Sequence, residues 1–143
     1  MRPTILALDL EGTLISNAVS QIPRPGLYPF LERVRTQFGH VVMFTTVDEC
    51  VFRSIAALLV AEGEAPAWFS ELPYTCWEGA TKDLTYVSST LGEALLLDDH
   101  AAYIHPGQER WWVEIPLFGS PYDQKDVGLL IAGQRIDERI KAL

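Results

Sequence analysis

Cysteine is scarce in this sequence of 143 residues, which contains only Cys50 and Cys76. Two cysteines cannot supply the several disulfide bonds of small secreted domains, and this scarcity predicts a reducing, cytoplasmic location. Long hydrophobic runs are also lacking. The longest strongly apolar stretch, residues 55–61, is far shorter than the roughly 20 residues of a membrane-spanning helix. The N-terminal apolar stretch is interrupted by Asp9, so a secretory signal is not expected either.

Positive charge is in deficit, because 11 Lys and Arg residues face 19 Asp and Glu residues and leave a net charge of −8. Binding to nucleic acid or to an anionic membrane depends on basic side chains near phosphate groups, so we expect neither partner. Hydrophobic residues make up 48% and charged residues 21% of the chain, which is ordinary for a globular protein and excludes the disordered and fibrous classes. The length predicts one domain spanning residues 1–143.

Short apolar segments alternate with amphipathic segments along the chain. The apolar segments predict strands at residues 4–10, 41–44, 94–97 and 111–115. The amphipathic segments predict helices at residues 26–39, 48–63 and from about 124 to the C-terminus. This alternation predicts an α/β fold whose central parallel sheet is joined by right-handed crossovers.

Three finer expectations follow from the same pattern. The second helix is expected to bury Val51, Ile55 and Leu58. Residues 64–80 lack periodicity, which predicts an irregular insert with one short strand near Trp68. Two glycines in the last helix are expected to weaken it by about 1 kcal/mol each relative to alanine.

Polar side chains lie where the predicted strands end. One lies at the end of the first strand and one directly follows it, one follows the second, two follow the third, and a lysine precedes the third strand after the irregular insert. The set consists of Asp9, Glu11, Thr45, Lys82, Asp98 and Asp99. Because the C-terminal ends of parallel strands form the edge at which ligands bind, we expect these side chains to converge.

The residue types in this set suit phosphoryl transfer. Several carboxylates in one place repel one another unless a hard cation neutralises them, and carboxylates with water are the ligands that Mg²⁺ prefers. One carboxylate can attack phosphorus and form an aspartyl-phosphate, while a second carboxyl transfers protons. A hydroxyl and an ammonium group can donate hydrogen bonds to the phosphoryl oxygens.

Four segments resemble, in order, the four motifs of the haloacid dehalogenase superfamily: DLEGTL from Asp9, the strand end VVMFTT, Lys82, and LLLDDH. The segments around these motifs resemble one family within that superfamily. RPGLYPFLERV from Arg24, FTTVDE, KDL and DDHAAYIHPGQ are similar to segments of the NLI-interacting-factor family. That family includes phosphatases acting on the C-terminal domain of RNA polymerase II and an import-translocase subunit of mitochondria. The resemblance extends over about residues 5–118.

The resemblance implies a Rossmann-like three-layer sandwich with a central parallel sheet. The segments 12–27 and 45–82 leave no room for a large cap domain. The resemblance further implies a Mg²⁺-dependent phosphohydrolase that acts through an aspartyl-phosphate. Its partner would be a phosphorylated small molecule or a phosphoprotein.

The resemblance also implies roles for individual residues. Asp9 would be the nucleophile and a Mg²⁺ ligand, and Thr45 and Lys82 would bind the phosphoryl group. The acidic pair Asp98 and Asp99 would hold the metal, with Asp99 as the more direct ligand.

Glu11 would be the acid/base and would offer its backbone carbonyl to the metal. The NLI-interacting-factor family usually has Asp at this position, whereas the enolase-phosphatases of the same superfamily carry Glu in a DxEGT motif. The longer side chain must bend back to reach the same proton.

Alternatives remain open from the sequence. The chain could keep this fold as a docking module with little or no turnover, or it could be a receiver-type switch that is phosphorylated once. A receiver, however, places its acidic pair early and the phosphorylated Asp late, which is the reverse of the order here. Thr46 competes with Thr45 as the phosphate donor, and Arg24 could meet an anionic substrate or merely precede the first helix.

Overall fold

A computed structural model describes all residues from Met1 to Leu143 and contains a four-stranded, all-parallel sheet. The order in the sheet is β2-β1-β3-β4, so β1 lies between β2 and β3, and the predicted parallel sheet is confirmed. At the C-terminal end of β1, Leu8 is paired with Met43 on one side and with Leu97 on the other. The strands are β1 (Ile5–Leu8), β2 (His40–Met43), β3 (Ala94–Asp98) and β4 (Trp112–Glu114).

Three α-helices accompany the sheet, α1 (Leu27–Gln37), α2 (Glu49–Ala61) and α3 (Gly128–Ala142). All three share one core cluster with the sheet face that carries Leu6 and Leu8. The opposite face is covered by loops and short 3-10 helices rather than by α-helices. No cap domain is inserted, as expected from the sequence, and no helix combines the length with the apolar character needed to cross a membrane.

The buried face of α2 differs from the expected one. Ile55 is buried, but Val51 and Leu58 are 39% and 48% exposed. The buried stripe runs instead through residues 52, 55, 56 and 59. The helix is apolar on more than one side, and the edge-to-face contact of Phe52 with Phe69, with ring centroids 5.7 Å apart, lies on the observed stripe.

The strand predicted near Trp68 is wrong, because Ala67–Glu71 forms a 3-10 helix. Pro66 directly precedes this helix with a φ of −67°, and it has no N–H to donate to a strand ladder. The carbonyl of Pro66 accepts the first hydrogen bond of the turn, from the N–H of Phe69. The turn thereby buries Phe69 against α2 without a pairing strand.

The two glycines of α3 have a packing role that the sequence did not reveal. A Cβ at Gly128 would overlap the guanidinium group of Arg24, and a Cβ at Gly133 would overlap that of Arg33. Each glycine therefore lowers helix propensity, but it lets an arginine that is distant in sequence pack against the helix.

Candidate active site

The candidate site lies where the direction of the chain through the sheet reverses. From β1 the chain crosses to β2 on one side, whereas β3 lies on the other side of β1. Such a switch point leaves a crevice at the C-terminal ends of the two central strands. Asp9 follows β1, Asp98 ends β3 and Asp99 comes next, and one carboxylate oxygen from each lies within 4.8 Å of the others.

Lys82 enters this acidic group from a loop and is only 1% exposed. Its Nζ donates to Oδ1 of Asp9 at 2.9 Å and to Oδ2 of Asp98 at 2.6 Å. The backbone N–H of Lys82 donates to the carbonyl of Tyr103 at 2.6 Å, which fixes the loop beside β3. An ammonium group has three protons, so one remains for a further acceptor such as a phosphoryl oxygen.

Burial dominates the ionisation of this group. It raises the pKa of Asp9 to about 6, although the positive charge of Lys82 acts in the opposite direction. Burial and the negative charge of Asp9 likewise raise the pKa of Asp98 to about 6. For Lys82, burial favours the neutral form, but the carboxylates of Asp9 and Asp98 outweigh it and raise the pKa. One ammonium among three carboxylates leaves negative charge uncompensated.

Thr13 is a site residue that the sequence reasoning missed. Its side chain is fully buried, and Oγ1 lies 2.8 Å from Oδ2 of Asp9 and 3.1 Å from Oδ1 of Asp99. A hydroxyl has one proton, so it donates to one carboxylate at a time and links the two. The threonine of the DLEGTL segment was the available signal.

Gly12 allows Asp99 to approach this loop. Its φ of +74° lies in the left-handed region, and a Cβ there would come within 2.8 Å of a carboxylate oxygen of Asp99. A larger residue would therefore strain the backbone and displace the acidic group.

Glu11 is not part of the carboxylate group. Its Oε2 accepts a hydrogen bond from the backbone N–H of Ala18 at 2.7 Å, which holds the half-buried side chain on the following loop. The sequence placed Glu11 in the site through its spacing from Asp9, but spacing alone does not fix the direction of a long side chain.

Thr45 lies just beyond β2 and is buried, whereas Thr46 is exposed. Oγ1 of Thr45 accepts from the N–H of Val47 at 3.1 Å, and the hydroxyl proton of Thr45 is not donated to any group of the chain. Thr45 also lines an open cleft of about 460 Å³, whose other lining residues are Thr46, Asp48, Glu49, Tyr74, Cys76, Trp77, Glu78 and Gly79.

The donor set could hold a divalent cation such as Mg²⁺. The three clustered carboxylates supply hard oxygen ligands and excess negative charge, and both are requirements of that ion. Asp98 is already engaged at both oxygens, by Lys82 and by the N–H of His100. Asp99 is half-buried and its carboxylate accepts a hydrogen bond only from Thr13, so it retains oxygen lone pairs for a metal.

The raised pKa values of Asp9 and Asp98 predict a pH-dependent effect of Mg²⁺ on stability. In the metal-free protein a folded pKa of about 6, above the usual 3.8, means that ionisation between these values disfavours the folded state. A cation reverses this cost only where the carboxylates are ionised, since below their folded pKa of about 6 it must displace protons. Mg²⁺ should therefore raise Tm more at pH 7 than at pH 5.

Thermal unfolding of EDTA-treated protein, with and without Mg²⁺, measures this difference. Comparing two samples at the same pH cancels the titration of all other groups, and a monovalent salt at matched ionic strength controls for screening. An equal Mg²⁺-induced rise in Tm at both pH values would contradict the prediction.

A family model described as NLI interacting factor-like phosphatase matches residues 4–140. No curated protein matches the chain. The matched range includes all six residues that the sequence singled out, and it also includes most of α3, which lies beyond the motifs read from the sequence.

Proposed function

Because the chain belongs to the family of NLI interacting factor-like phosphatases, we propose that it is a Mg²⁺-dependent phosphohydrolase of the haloacid dehalogenase type. The reaction would proceed through an aspartyl-phosphate at Asp9, and the domain would span residues 1–143. The observation that carries the proposal is the group of buried carboxylates of Asp9, Asp98 and Asp99 around the ammonium of Lys82.

In the first step, a carboxylate oxygen of Asp9 attacks phosphorus and the bond to the leaving oxygen breaks, while Glu11 supplies the proton that this oxygen takes up. In the second step, Glu11 removes a proton from water, whose oxygen attacks phosphorus, and the phosphate leaves Asp9. Lys82 and Thr45 donate hydrogen bonds to the phosphoryl oxygens. Glu11 must first release the N–H of Ala18, which it holds at 2.7 Å.

Thr45 is preferred over Thr46 for this role because its hydroxyl is buried and retains an undonated proton. A buried donor that is already fixed by the N–H of Val47 needs little reorganisation to meet a phosphoryl oxygen. Thr46 is exposed, so its hydroxyl would have to lose its bound water before it could donate to a phosphoryl oxygen.

The metal would be held by Asp9, Asp99 and the backbone carbonyl of Glu11, which accepts no hydrogen bond within the chain. When bound, Mg²⁺ would neutralise the carboxylates and withdraw negative charge from the phosphoryl group. Asp98 would contribute charge next to the metal and hold Lys82, since both of its oxygens already accept hydrogen bonds.

Steady-state hydrolysis of p-nitrophenyl phosphate with Mg²⁺ and with EDTA tests the proposal. Asp99→Asn should raise the Mg²⁺ concentration needed for half-maximal activity while leaving Tm nearly unchanged, and Glu138→Gln, an exposed carboxylate on α3, is the matched control. A wild type without turnover would favour the docking module, which is the alternative suggested by the attachment of Glu11 to Ala18. Stoichiometric phosphorylation without repeated turnover would favour a receiver-type switch.

The cleft beside Thr45 predicts a preference for the charge of the leaving group. Asp48, Glu49 and Glu78 line it, no Lys or Arg does, and Glu49 is partly offset by Arg53 at 3.2 Å. A leaving group that carries an ammonium should therefore be favoured over one of similar size that carries a carboxylate. Since these acids are exposed, we expect a modest effect, about threefold or more in kcat/KM.

O-phosphoethanolamine and phosphoglycolate are a suitable pair of substrates for this comparison. The preference should shrink at high salt and in Glu78→Gln, because both weaken the negative potential of the cleft. Equal kcat/KM values at low salt would show that the cleft does not discriminate by charge.

A further inference from the structure

Arg24 is completely buried, with a side-chain exposure of 0%, and it precedes α1 by three residues. Its Nε donates to Oδ1 of Asp126 at 2.7 Å, and its Nη2 donates to the carbonyl of Pro116 at 2.7 Å and to Oδ2 of Asp126 at 3.3 Å. Its Nη1 donates to the carbonyls of Gly12 at 3.3 Å and Thr13 at 3.2 Å. A guanidinium group has five N–H donors, and these contacts occupy all of them.

This arrangement excludes the interpretation that Arg24 meets an anionic substrate, because neither exposed surface nor a free donor remains. Its contacts point instead to the loop after β1. The carbonyl of Thr13 accepts from Arg24, and the hydroxyl of the same residue lies between the carboxylates of Asp9 and Asp99. Arg24 is therefore separated from the acidic group by a single residue.

The same side chain ties that loop to the segment leading into α3. The carbonyl of Gly12 accepts both from Arg24 and from the N–H of Phe118. Asp126 accepts hydrogen bonds from the guanidinium group of Arg24 and from the N–H of Gly128, the first residue of α3. A Cβ at Gly128 would occupy the position of the guanidinium group. The N-terminus of α3 therefore packs directly against this arginine.

We propose that Arg24, fixed by Asp126, is a positioning residue that holds residues 9–13 so that Asp9, Thr13 and Asp99 keep their mutual geometry for the metal and the phosphoryl group. The inference rests on the proposed phosphatase function. Arg24 acts through the carbonyls of Gly12 and Thr13 and touches neither substrate nor metal. Phosphate binding by Thr45 and Lys82, on other loops, should be affected less than the chemical step.

The chain contains a matched control in Arg33. It pairs with Asp137, its Nη2 faces the carbonyl of Gly133, and a Cβ at that glycine would overlap its guanidinium group. The chemistry is the same as at Arg24, and the contact is with the same helix. The side chain of Arg33 is 41% exposed, however, and its hydrogen bonds are to Gly133 and Asp137 rather than to the loop after β1.

Two substitutions weaken the proposed anchor in different ways. Arg24→Lys keeps the positive charge but has three donors on one nitrogen, so it cannot serve Asp126, Pro116 and the loop carbonyls together. Asp126→Asn keeps the shape of the acceptor and removes its charge, and it remains informative if Arg24→Lys does not fold. We expect either variant to lower kcat about 10-fold to 100-fold, with a smaller change in KM.

The experiment compares both variants with Arg33→Lys and Asp137→Asn by Tm, kcat, KM and the half-activating Mg²⁺ concentration. The Mg²⁺-induced rise in Tm is a readout that needs no turnover. We expect that rise to shrink, and the half-activating Mg²⁺ concentration to increase, in Arg24→Lys and Asp126→Asn but not in the two control variants. A purely structural role of Arg24 would lower Tm in Arg24→Lys and Asp126→Asn and leave the response to Mg²⁺ intact.

Two results would overturn the inference. One is a wild-type kcat and Mg²⁺ response in Asp126→Asn and in folded Arg24→Lys, and the other is an equal change at Arg33 and Asp137. If the wild type has no turnover, the proposed function fails separately, and the Mg²⁺-induced rise in Tm still decides the role of Arg24. A wild type with neither turnover nor a Mg²⁺ response overturns both.

Discussion

Replacing Asp9 with asparagine should reduce kcat by about 10⁴-fold or more, which is the order of loss seen when a covalent nucleophile is removed. The amide of asparagine has nearly the shape of the carboxylate, so it can still contact Lys82 and Thr13, but it cannot attack phosphorus. Steady-state hydrolysis of p-nitrophenyl phosphate measures the loss. Asp123→Asn, an exposed aspartate in the loop before α3, is the control for the same chemical change.

The same substitution should leave the folded state intact or stabilise it. Burial raises the pKa of Asp9 to about 6, so at pH 7 the ionised form disfavours the fold of the metal-free protein, and a neutral side chain removes that cost. Loss of activity without loss of Tm would separate the nucleophile from a structural role. A variant that keeps more than about one per cent of the wild-type kcat would mean that another group attacks phosphorus.

The sequence was sufficient to predict the sheet and the convergence of most of the acidic residues. Asp9, Asp98 and Asp99 directly follow or end short apolar segments, and the ends of parallel strands necessarily meet at one edge. Their proximity therefore depends on topology, which alternating strands and helices already imply. The position of Lys82 is different, because its loop is fixed by the carbonyl of Tyr103, a contact that no local pattern encodes.

Features that depend on long-range side-chain contacts could not be predicted. The contact between Phe52 and Phe69 lies on the observed buried stripe of α2, although helical periodicity also allowed a stripe through Val51. The burial of Arg24 needs Asp126, about one hundred residues later in the chain. Local propensity describes such segments in isolation, whereas their final arrangement is decided by partners that are distant in sequence.

Gly128 illustrates how such a contact reverses the interpretation of a residue. In the interior of the helix that the sequence predicts from about residue 124, this glycine is only unfavourable, by about 1 kcal/mol relative to alanine. Beside Arg24 it is the residue without a Cβ that makes room for a buried guanidinium group. Breaking a buried ion pair costs more than the helix propensity gained, about 3 kcal/mol or more. Alanine, the best helix former, is therefore the wrong residue at this position.

Lys82→Met should have the largest effect on stability, because it removes the only cation that contacts Asp9 and Asp98. Breaking a buried ion pair by deleting one partner typically lowers the free energy of unfolding by about 3–5 kcal/mol, a large part of the stability of a small domain. Urea unfolding at pH 7 in EDTA measures the loss, and Lys125→Met, an exposed lysine, is the control.

The size of that loss should depend on the charge of the remaining carboxylates. At pH 5 they take up protons more readily, since burial has already raised the pKa values of Asp9 and Asp98 to about 6, and the loss should shrink. For the same reason Asp98→Asn should recover part of the stability of Lys82→Met, so that the two changes are not additive. An unchanged free energy of unfolding in Lys82→Met would mean that the cost of burying this ammonium group cancels its two ion pairs, and that Lys82 is retained for phosphate binding alone.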